Sequence, residues 1–276
     1  MVGIAWLATN LWILTLIMLL ILNLKSVLFM WHYRFFRALW KGIRLHQNTA
    51  LRLHDVFLPT ACTSHVPLLE IDFNLHKSNS TYFSDLDVAR AYHTGVILGS
   101  LLTPKTGRVR CNIIVGAVSC TFKREIKLHS GYELSTKVAS WDEKWIYMVT
   151  HFVERGKAKP QPEYLQGVLR DREPKDSVVR LQEKRVFASA VTRMVCKRGR
   201  FTVSPIRALE ESGLLRDAGP KAGSCGTKGF QNYLPEGLEE RRNSNLPIVQ
   251  LQQGWDKVHE LYDEQETVLG RITDIV

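Results

Sequence analysis

A single long helix pattern followed by a series of strand patterns constrains the fold of this chain most. Apolar residues recur at helical spacing from Thr81 to Leu102, and Ser80 and Thr81 are both candidates for the helix cap. Beyond Pro104, segments rich in Val, Ile, Thr, Tyr and Phe alternate with polar turns, and they cover 108–126, 132–142, 145–154 and 185–198. One helix followed by long antiparallel strands is an α+β arrangement, in which the sheet wraps around the helix and buries its apolar face.

The N-terminal segment from Ile4 to Leu22 carries no charged residue. Its nineteen residues would span about 29 Å as a helix, which matches the hydrocarbon core of a bilayer. A cleaved signal peptide is the alternative, but no basic residue precedes the run and no small-x-small cleavage site follows it. Basic residues follow it instead, and the positive-inside rule then puts the rest of the chain in the cytosol. The segment therefore predicts a single-pass membrane protein, with the endoplasmic reticulum as one candidate membrane.

The formal net charge of +10 is unevenly distributed. Six Lys or Arg and no acidic residue lie between Lys25 and Arg52, and seven more lie in an acid-free run from Lys184 to Arg207. The first run is interleaved with aromatic side chains, which is typical of a helix that lies among lipid headgroups. Nucleic-acid binders also mix basic and aromatic residues, but the adjacent apolar segment favours membrane lipid, so no nucleic-acid partner is expected.

These patterns divide the chain into a transmembrane anchor at 1–24, a basic-aromatic juxtamembrane segment at 25–54, a folded domain at 55–207 and a C-terminal part at 208–276. The folded domain contains a charged, proline-containing insertion, which covers 156–183. The C-terminal part begins as a flexible loop over 217–245 and continues as a helix pattern that can pack back on the domain. The five cysteines are scattered and form no Cys/His cluster with metal-ligand spacing, so neither a metal nor a cofactor is expected.

The stretch from Asp72 to Arg90 carries a pattern of polar residues just before and within the long helix. In register, it contains Asp72, His76, Asn79, Tyr82, Asp87, Ala89 and Arg90. This pattern resembles the D-x-x-x-H-x-N-N-x-x-Y…E-x-A-R signature of 4-hydroxybenzoyl-CoA-thioesterase-like hotdog proteins. With its apolar N-terminus, the chain also looks like the membrane-anchored branch called thioesterase superfamily member six. The resemblance implies a hotdog fold, a homodimer joined through sheet edges, and hydrolysis of an acyl thioester carried by coenzyme A or by a carrier.

Thioester hydrolysis needs an attacking oxygen and hydrogen-bond donors for the developing oxyanion. An aspartate just before a helix can act as the nucleophile or as a general base on water, and the family gives that role to the residue that matches Asp72. Free amides at the N-terminus of the helix, near Asn79, can form the oxyanion hole. We expect His76, Ser78 and Asn79 to support the turn and the oxyanion hole. The expected pocket or structural residues are Tyr82, Asp87 and Arg90.

Asp87 is a conservative change, because the family usually has Glu at this position, and two further residues depart from the pattern. Ser78 replaces the first Asn, and Leu75 replaces the small residue that usually precedes the histidine. A non-catalytic hotdog protein that binds acyl thioesters or scaffolds partners of lipid metabolism is therefore the alternative function, with Asp72 as a turn cap and His76 as a packed loop histidine. A hotdog dehydratase or isomerase is a third option, but it would need a His/Asp or His/Glu pair placed differently, and the sequence does not clearly supply that motif. The basic run at 184–207 is expected either to meet the phosphates of coenzyme A or to protect solvated strand edges.

Overall fold

The computed structural model describes residues 2–103, 109–155, 185–214, 236–263 and 266–274. Three long helices come first in the chain: α1 (Val2–Leu22), α2 (Met30–Asn48) and α3 (Asn79–Leu102). Three shorter helices follow the main strands in the described ranges: α4 (Pro205–Glu211), α5 (Glu236–Val249) and α6 (Gly254–Glu260). Single 3-10 turns occupy Leu24–Ser26, Leu53–Phe57 and Leu68–Glu70.

The strands of the described residues form one sheet with the order β2-β5-β4-β3-β1-β7, and β6 pairs with β5. Their bounds are β1 (Thr60–His65), β2 (Asn112–Phe122), β3 (Gly131–Trp141), β4 (Ile146–Glu154), β5 (Val186–Arg198), β6 (Phe201–Val203) and β7 (Gly270–Thr273). All pairs are antiparallel except β1 with β7. The predicted antiparallel sheet is therefore a mixed one, because the C-terminal strand joins β1 in parallel.

The inner face of the sheet packs against α3, as the sequence predicts. Leu86 and Val96 of α3 belong to the same buried core as Leu134, Met148 and Phe152 of the central strands. Helix α3 contains the predicted span Thr81–Leu102 and starts two residues earlier. The prediction of an α+β fold with a sheet wrapped around one long helix is confirmed.

The other side of α3 is covered by α2, and the two helices touch through glycines. A Cβ atom at Gly95 would lie 2.6 Å from the carbonyl oxygen of Leu39, and one at Gly42 would collide with the carbonyl oxygen of Tyr92. Only glycine permits this close backbone approach. Helix α2 is thus packed on the domain along one side and keeps the aromatic side chains Phe36 and Trp40 exposed on the other.

The outer face of the sheet is covered by the C-terminal helices. Val249 of α5 and Val258 of α6 pack against Ala139, Val149 and Val191 of the central strands. The predicted loop over 217–245 needs correction, because its last ten residues begin α5 at Glu236, while 217–235 lies outside the described residues. The predicted insertion at 156–183 also lies outside them.

Across the part of the chain that the structure describes, no helix combines the length and the apolarity needed to cross a membrane. The predicted transmembrane helix is therefore not confirmed.

Candidate active site

Asp72 opens a tight turn that ends just before α3. Its backbone amide donates to the carbonyl of His76 (2.9 Å), and its carbonyl accepts from the amide of Leu75 (3.1 Å). Its side-chain Oδ1 accepts from the amides of Asn74 (2.9 Å) and His76 (3.4 Å). One carboxylate oxygen is thus held by the turn, while Oδ2 has no hydrogen-bond partner among the described residues. The half-buried carboxylate of Asp72 is therefore both fixed in place and accessible.

Leu75 has a backbone conformation that is unusual for its residue type. Its φ of 60° lies in the left-handed region, which glycine adopts at little cost and which a bulky residue rarely adopts. The side chain is 64 % exposed, so burial of the leucine does not compensate this strain. A glycine would adopt this conformation without that cost, so Leu75 adds strain to the turn.

The N-terminus of α3 lies directly behind the turn. The amide of Ser78 donates to the carbonyl of Glu70 (2.8 Å), and Ser78 precedes the first helical residue, Asn79. No described side chain caps this helix end, and the hydroxyl of Ser78 bonds that of Ser80 (3.1 Å). The first amides of a helix have no intrahelical acceptors. Those of Asn79 and Ser80 therefore remain available to an oxyanion.

His76 faces the loop between β2 and β3. Its Nε2 lies 3.6 Å from a carboxylate oxygen of Glu125, and its backbone pairs with Lys127. The imidazole therefore lies against this loop, where it helps to hold the turn to the sheet.

The three residues predicted further along the pattern lie within α3 and pack inside the domain. The ring of Tyr82 is buried between Phe122 and Phe152, with both ring centroids 4.9 Å away, and burial raises its pKa. Asp87 is ion-paired with Arg90, which also donates to Thr192 (3.1 Å). Burial raises the pKa of Asp87 in spite of this pair. The geometry assigns these side chains structural contacts, and the ion pair lies about two to three helical turns after the first residue of α3.

A buried ion cluster beside the turn was missed by the sequence reasoning. Its carboxylates are Glu70, Asp85 and Asp274, and its cations are Lys25, Arg34 and Lys77. The hydroxyl of Tyr132 donates to Asp85 as well. Burial alone would raise the pKa of Asp85, but Lys25, Lys77 and Arg34 together hold it well below its ordinary value. No local sequence signal finds this cluster, because its members come from segments up to 240 residues apart.

The cluster corrects the prediction that the first basic run faces lipid headgroups, for two of its residues. Lys25 and Arg34 are each only 3 % exposed, so these two side chains point into the domain and not towards lipid headgroups. Removing a charge from water is costly unless it is paired, and the three carboxylates supply that pairing. The exposed basic residues of the run, such as Lys41 and Arg44, remain free to face a headgroup layer.

Three basic residues of the second run contact side chains close to them in the fold. Arg193 lies over the ring of Trp145 (4.9 Å), Lys197 donates to Thr202 (2.6 Å), and Arg198 is ion-paired with Glu211. A cavity of about 460 Å³ lies instead in the loop that contacts His76. It is lined by Lys123, Arg124, Glu125, Lys127, Ser130 and Phe187. This loop, and not the predicted run, brings basic side chains next to the Asp72 turn.

Comparison with known proteins gives consistent matches. The model of a family described as the thioesterase-like superfamily matches residues 66–200. Thioesterase poxG of Penicillium oxalicum is 33 % identical over 87 % of this chain and 83 % of its own length, and probable thioesterase atnL of Emericella nidulans is 35 % identical over 92 % and 90 %. Protein THEM6 of Danio rerio is 31 % identical over 44 % and 57 %. Among solved structures, YbaW, a probable thioesterase from Escherichia coli, aligns over 56 % of this chain and 96 % of its own with 14 % identity and a TM-score of 0.39.

Proposed function

We propose that this chain, which belongs to the thioesterase-like superfamily, hydrolyses an acyl thioester at the turn that carries Asp72. The observation that carries the proposal is the position of one accessible carboxylate oxygen of Asp72 directly before the uncapped N-terminus of α3. Hydrolysis of a thioester requires a group that supplies or activates the attacking oxygen, and hydrogen-bond donors that stabilise the oxyanion. The carboxylate of Asp72 and the free amides of α3 can fill these two roles.

In the proposed reaction, Asp72 acts either on water or on the substrate itself. As a general base it takes a proton from water while the water oxygen forms a bond to the thioester carbonyl carbon. As a nucleophile its own oxygen forms that bond, and water then hydrolyses the resulting anhydride. In both routes the carbonyl oxygen becomes an oxyanion, to which the amides of Asn79 and Ser80 donate. When the oxyanion collapses the C–S bond breaks: in the first route Asp72 returns its proton to the leaving sulfur, and in the second the thiolate leaves as the anhydride forms and takes a proton from water.

The substrate in this proposal is an acyl group on coenzyme A or on a carrier. Both carry a phosphopantetheine arm, and coenzyme A adds further phosphates. The basic side chains Lys123, Arg124 and Lys127 line the cavity beside His76 and supply positive charge for such phosphates.

We further propose that the protein works at a membrane surface with its domain in the cytosol. The apolar side chains of α1 from Leu11 to Leu22 are all exposed, and the exposed side of α2 carries aromatic and basic residues. Such a surface suits the boundary between headgroups and acyl chains. The basic residues after α1 favour the cytosolic side.

The test of the hydrolase proposal uses the full chain in detergent and a panel of acyl-CoA thioesters with release of free thiol as the signal. Asp72→Asn keeps a side-chain oxygen for the amides of Asn74 and His76 but removes the base. We expect it to lower kcat by about 10²-fold or more while the thermal midpoint stays near that of the wild type. Asp256→Asn, at an exposed position on α6, is the matched control and should leave kcat unchanged.

The second candidate function is a non-catalytic protein that binds acyl thioesters. It is favoured by the strained Leu75 and by the role of Asp72 in holding its own turn. This function predicts that acyl-CoA raises the thermal midpoint while no thiol is released. Turnover by the wild type that Asp72→Asn abolishes excludes it, whereas turnover that survives Asp72→Asn excludes the proposed role of Asp72.

A further inference from the structure

Lys25 and Lys77 each bridge the same two buried carboxylates. The Nζ of Lys25 lies 3.0 Å from Glu70 Oε2 and 2.8 Å from Asp85 Oδ1. The Nζ of Lys77 lies 2.6 Å from Glu70 Oε2 and 2.8 Å from Asp85 Oδ2. All four side chains are at least nine-tenths buried, so water does not screen these pairs.

Arg34 and Asp274 complete the charge balance of this cluster. Arg34 lies 2.7 Å from Asp85 Oδ1, and its Nε donates to Asp274 Oδ1 (2.8 Å). The cluster therefore contains three cations and three carboxylates among the described residues. Removal of one member leaves an unpaired buried charge, which destabilises a protein far more than the loss of an exposed pair.

Both ends of the Asp72 turn are attached to this cluster. Glu70 precedes the turn by two residues, and its carbonyl accepts from the amide of Ser78 at the start of α3 (2.8 Å). Lys77 ends the turn and pairs with Ile71 through the backbone. From the N-terminal segment, Asn23 Oδ1 accepts from the amide of Leu69 (2.8 Å). The turn is thus held between Glu70 and Lys77. The side chains of these two residues are ion-paired with each other, and Lys25 pairs with Glu70 as well.

The middle of the turn, from Phe73 to Leu75, is not packed against the domain. Phe73, Asn74 and Leu75 are exposed, with Phe73 at 93 %, and Leu75 is in a left-handed conformation. A strained conformation persists only where its surroundings enforce it. The described contacts that can do so are the pairing of His76 with Lys127 and, at the two ends of the turn, the clamp at Glu70 and Lys77.

We infer that Lys25 is a positioning residue for Asp72, acting through Glu70, so that the N-terminal segment is part of the active-site scaffold. This inference rests on the proposed function. It also means that a chain shortened to begin at about residue 45 would lose Lys25 and Arg34, so that Lys77 would be the one described cation of the cluster left to balance its three carboxylates.

The experiment compares four forms of the full chain in detergent: wild type, Lys25→Met, Glu70→Gln and the double variant Lys25→Met/Glu70→Gln. Lys25→Met leaves the cluster with an excess negative charge, and the double variant restores neutrality without restoring the clamp. Lys41→Met removes an exposed lysine from the same N-terminal segment and is the matched control. The readouts are the thermal midpoint, kcat and KM for an acyl-CoA, and amide hydrogen exchange of residues 72–78 relative to β3.

We expect Lys25→Met to lower both the thermal midpoint and kcat. In the double variant the midpoint should recover, whereas kcat should stay at least about tenfold below that of the wild type with KM within threefold. Exchange at residues 72–78 should stay at least about tenfold faster than in the wild type, while exchange of β3 returns to the wild-type rate. Lys41→Met should match the wild type in every readout.

Recovery of kcat and of the exchange rate together with the midpoint would show that Lys25 only stabilises the fold, and would overturn the inference. The exchange measurement needs no turnover, so it judges the positioning of the turn even in a chain without activity. If Asp72→Asn leaves hydrolysis unchanged while Lys25→Met loosens residues 72–78, the proposed catalytic role fails and the clamp stands.

Discussion

His93 shows how complete burial changes the chemistry of a single side chain. It lies on α3 with none of its surface exposed, and its Nδ1 is 3.1 Å from the hydroxyl of Thr60. Its Nε2 has no hydrogen-bond partner among the described residues. Burial lowers the pKa of His93 to about 3, because a charged imidazole would be far from water at this position. The folded protein therefore keeps this histidine neutral over the range in which an unfolded chain protonates it.

This neutral histidine makes the stability of the fold depend on pH. Below about pH 6.5 the unfolded state takes up a proton at His93 that the folded state does not, so the free energy of unfolding falls as the pH falls towards 3. One such group contributes about 1.4 kcal/mol per pH unit. We expect His93→Gln to reduce the slope between pH 6 and pH 5 by about that amount in urea unfolding. The exposed His54→Gln is the control, and equal slopes in both variants would contradict the argument.

At the scale of single elements, β2 is an edge strand with apolar side chains at its surface. Among the described residues it pairs with β5 on one side and with no strand on the other. Ile114, Val115 and Phe122 are exposed along it, and a bulge at Gly116 brings the backbone against the ring of Trp145. An exposed, apolar edge strand is a surface on which a second chain can pair. We therefore propose that the homodimer implied by the family forms through β2.

Charges on this edge should separate the two copies. We expect the wild-type chain to sediment with the mass of a dimer after correction for bound detergent. The double variant Ile114→Lys/Val115→Lys should sediment as a monomer with an unchanged thermal midpoint at low protein concentration, because lysines oppose edge-to-edge pairing. Phe201→Lys, which charges an exposed apolar position on β6, should remain dimeric. A monomeric wild type, or a dimeric edge variant, would rule out pairing through β2.

The elements with a clear periodic pattern could be predicted from the sequence. Helix α3 and the strands β2, β3 and β4 lie within or next to the predicted segments, because side-chain periodicity reflects which face of an element is buried. Strands β1 and β7 were not predicted. They are short, and β7 is set by parallel pairing with a strand about 210 residues earlier in the chain, which no local pattern encodes.

The candidate site could be predicted only in part for the same reason. The turn from Asp72 to Ser78 and the start of α3 are contiguous, so the family resemblance could locate them. The partners of Glu70 could not be found this way, because Lys25 comes from the N-terminal segment and Asp85 from inside α3. A basic residue after an apolar run is ordinarily interpreted as a contact to lipid headgroups, and only the buried ion pairs of the folded chain show that Lys25 and Arg34 are internal.

At the scale of the whole molecule, the N-terminal part of the chain is bound to its C-terminal part. Arg34 of α2 is ion-paired with Asp274, which follows β7, and the side chain of Arg37 donates to the carbonyl of Thr273 (3.1 Å). The N-terminal segment, the central helix and the C-terminus therefore form one packed unit around the ion cluster. The exposed side of α2 is held in a fixed orientation relative to the Asp72 turn, so a membrane that contacts α2 would also fix how the site faces the bilayer.

Contact between this side of α2 and lipid is the last prediction. Phe29, Tyr33, Phe36 and Trp40 follow one another at spacings of four, three and four residues, all exposed, and the guanidinium of Arg44 lies over the ring of Trp40 (3.6 Å). Aromatic rings with flanking basic groups favour the headgroup layer.

An environment-sensitive dye on Phe36→Cys should shift its emission to the blue when vesicles that contain phosphatidylserine are added to the full chain. The same dye on Phe201→Cys, which is 81 % exposed on β6, should not respond. Salt should weaken the response at position 36, because exposed basic side chains contribute part of the attraction and are screened. A dye at position 36 that reports no change, or one that responds no more than the dye at position 201, would mean that α2 does not face the lipid.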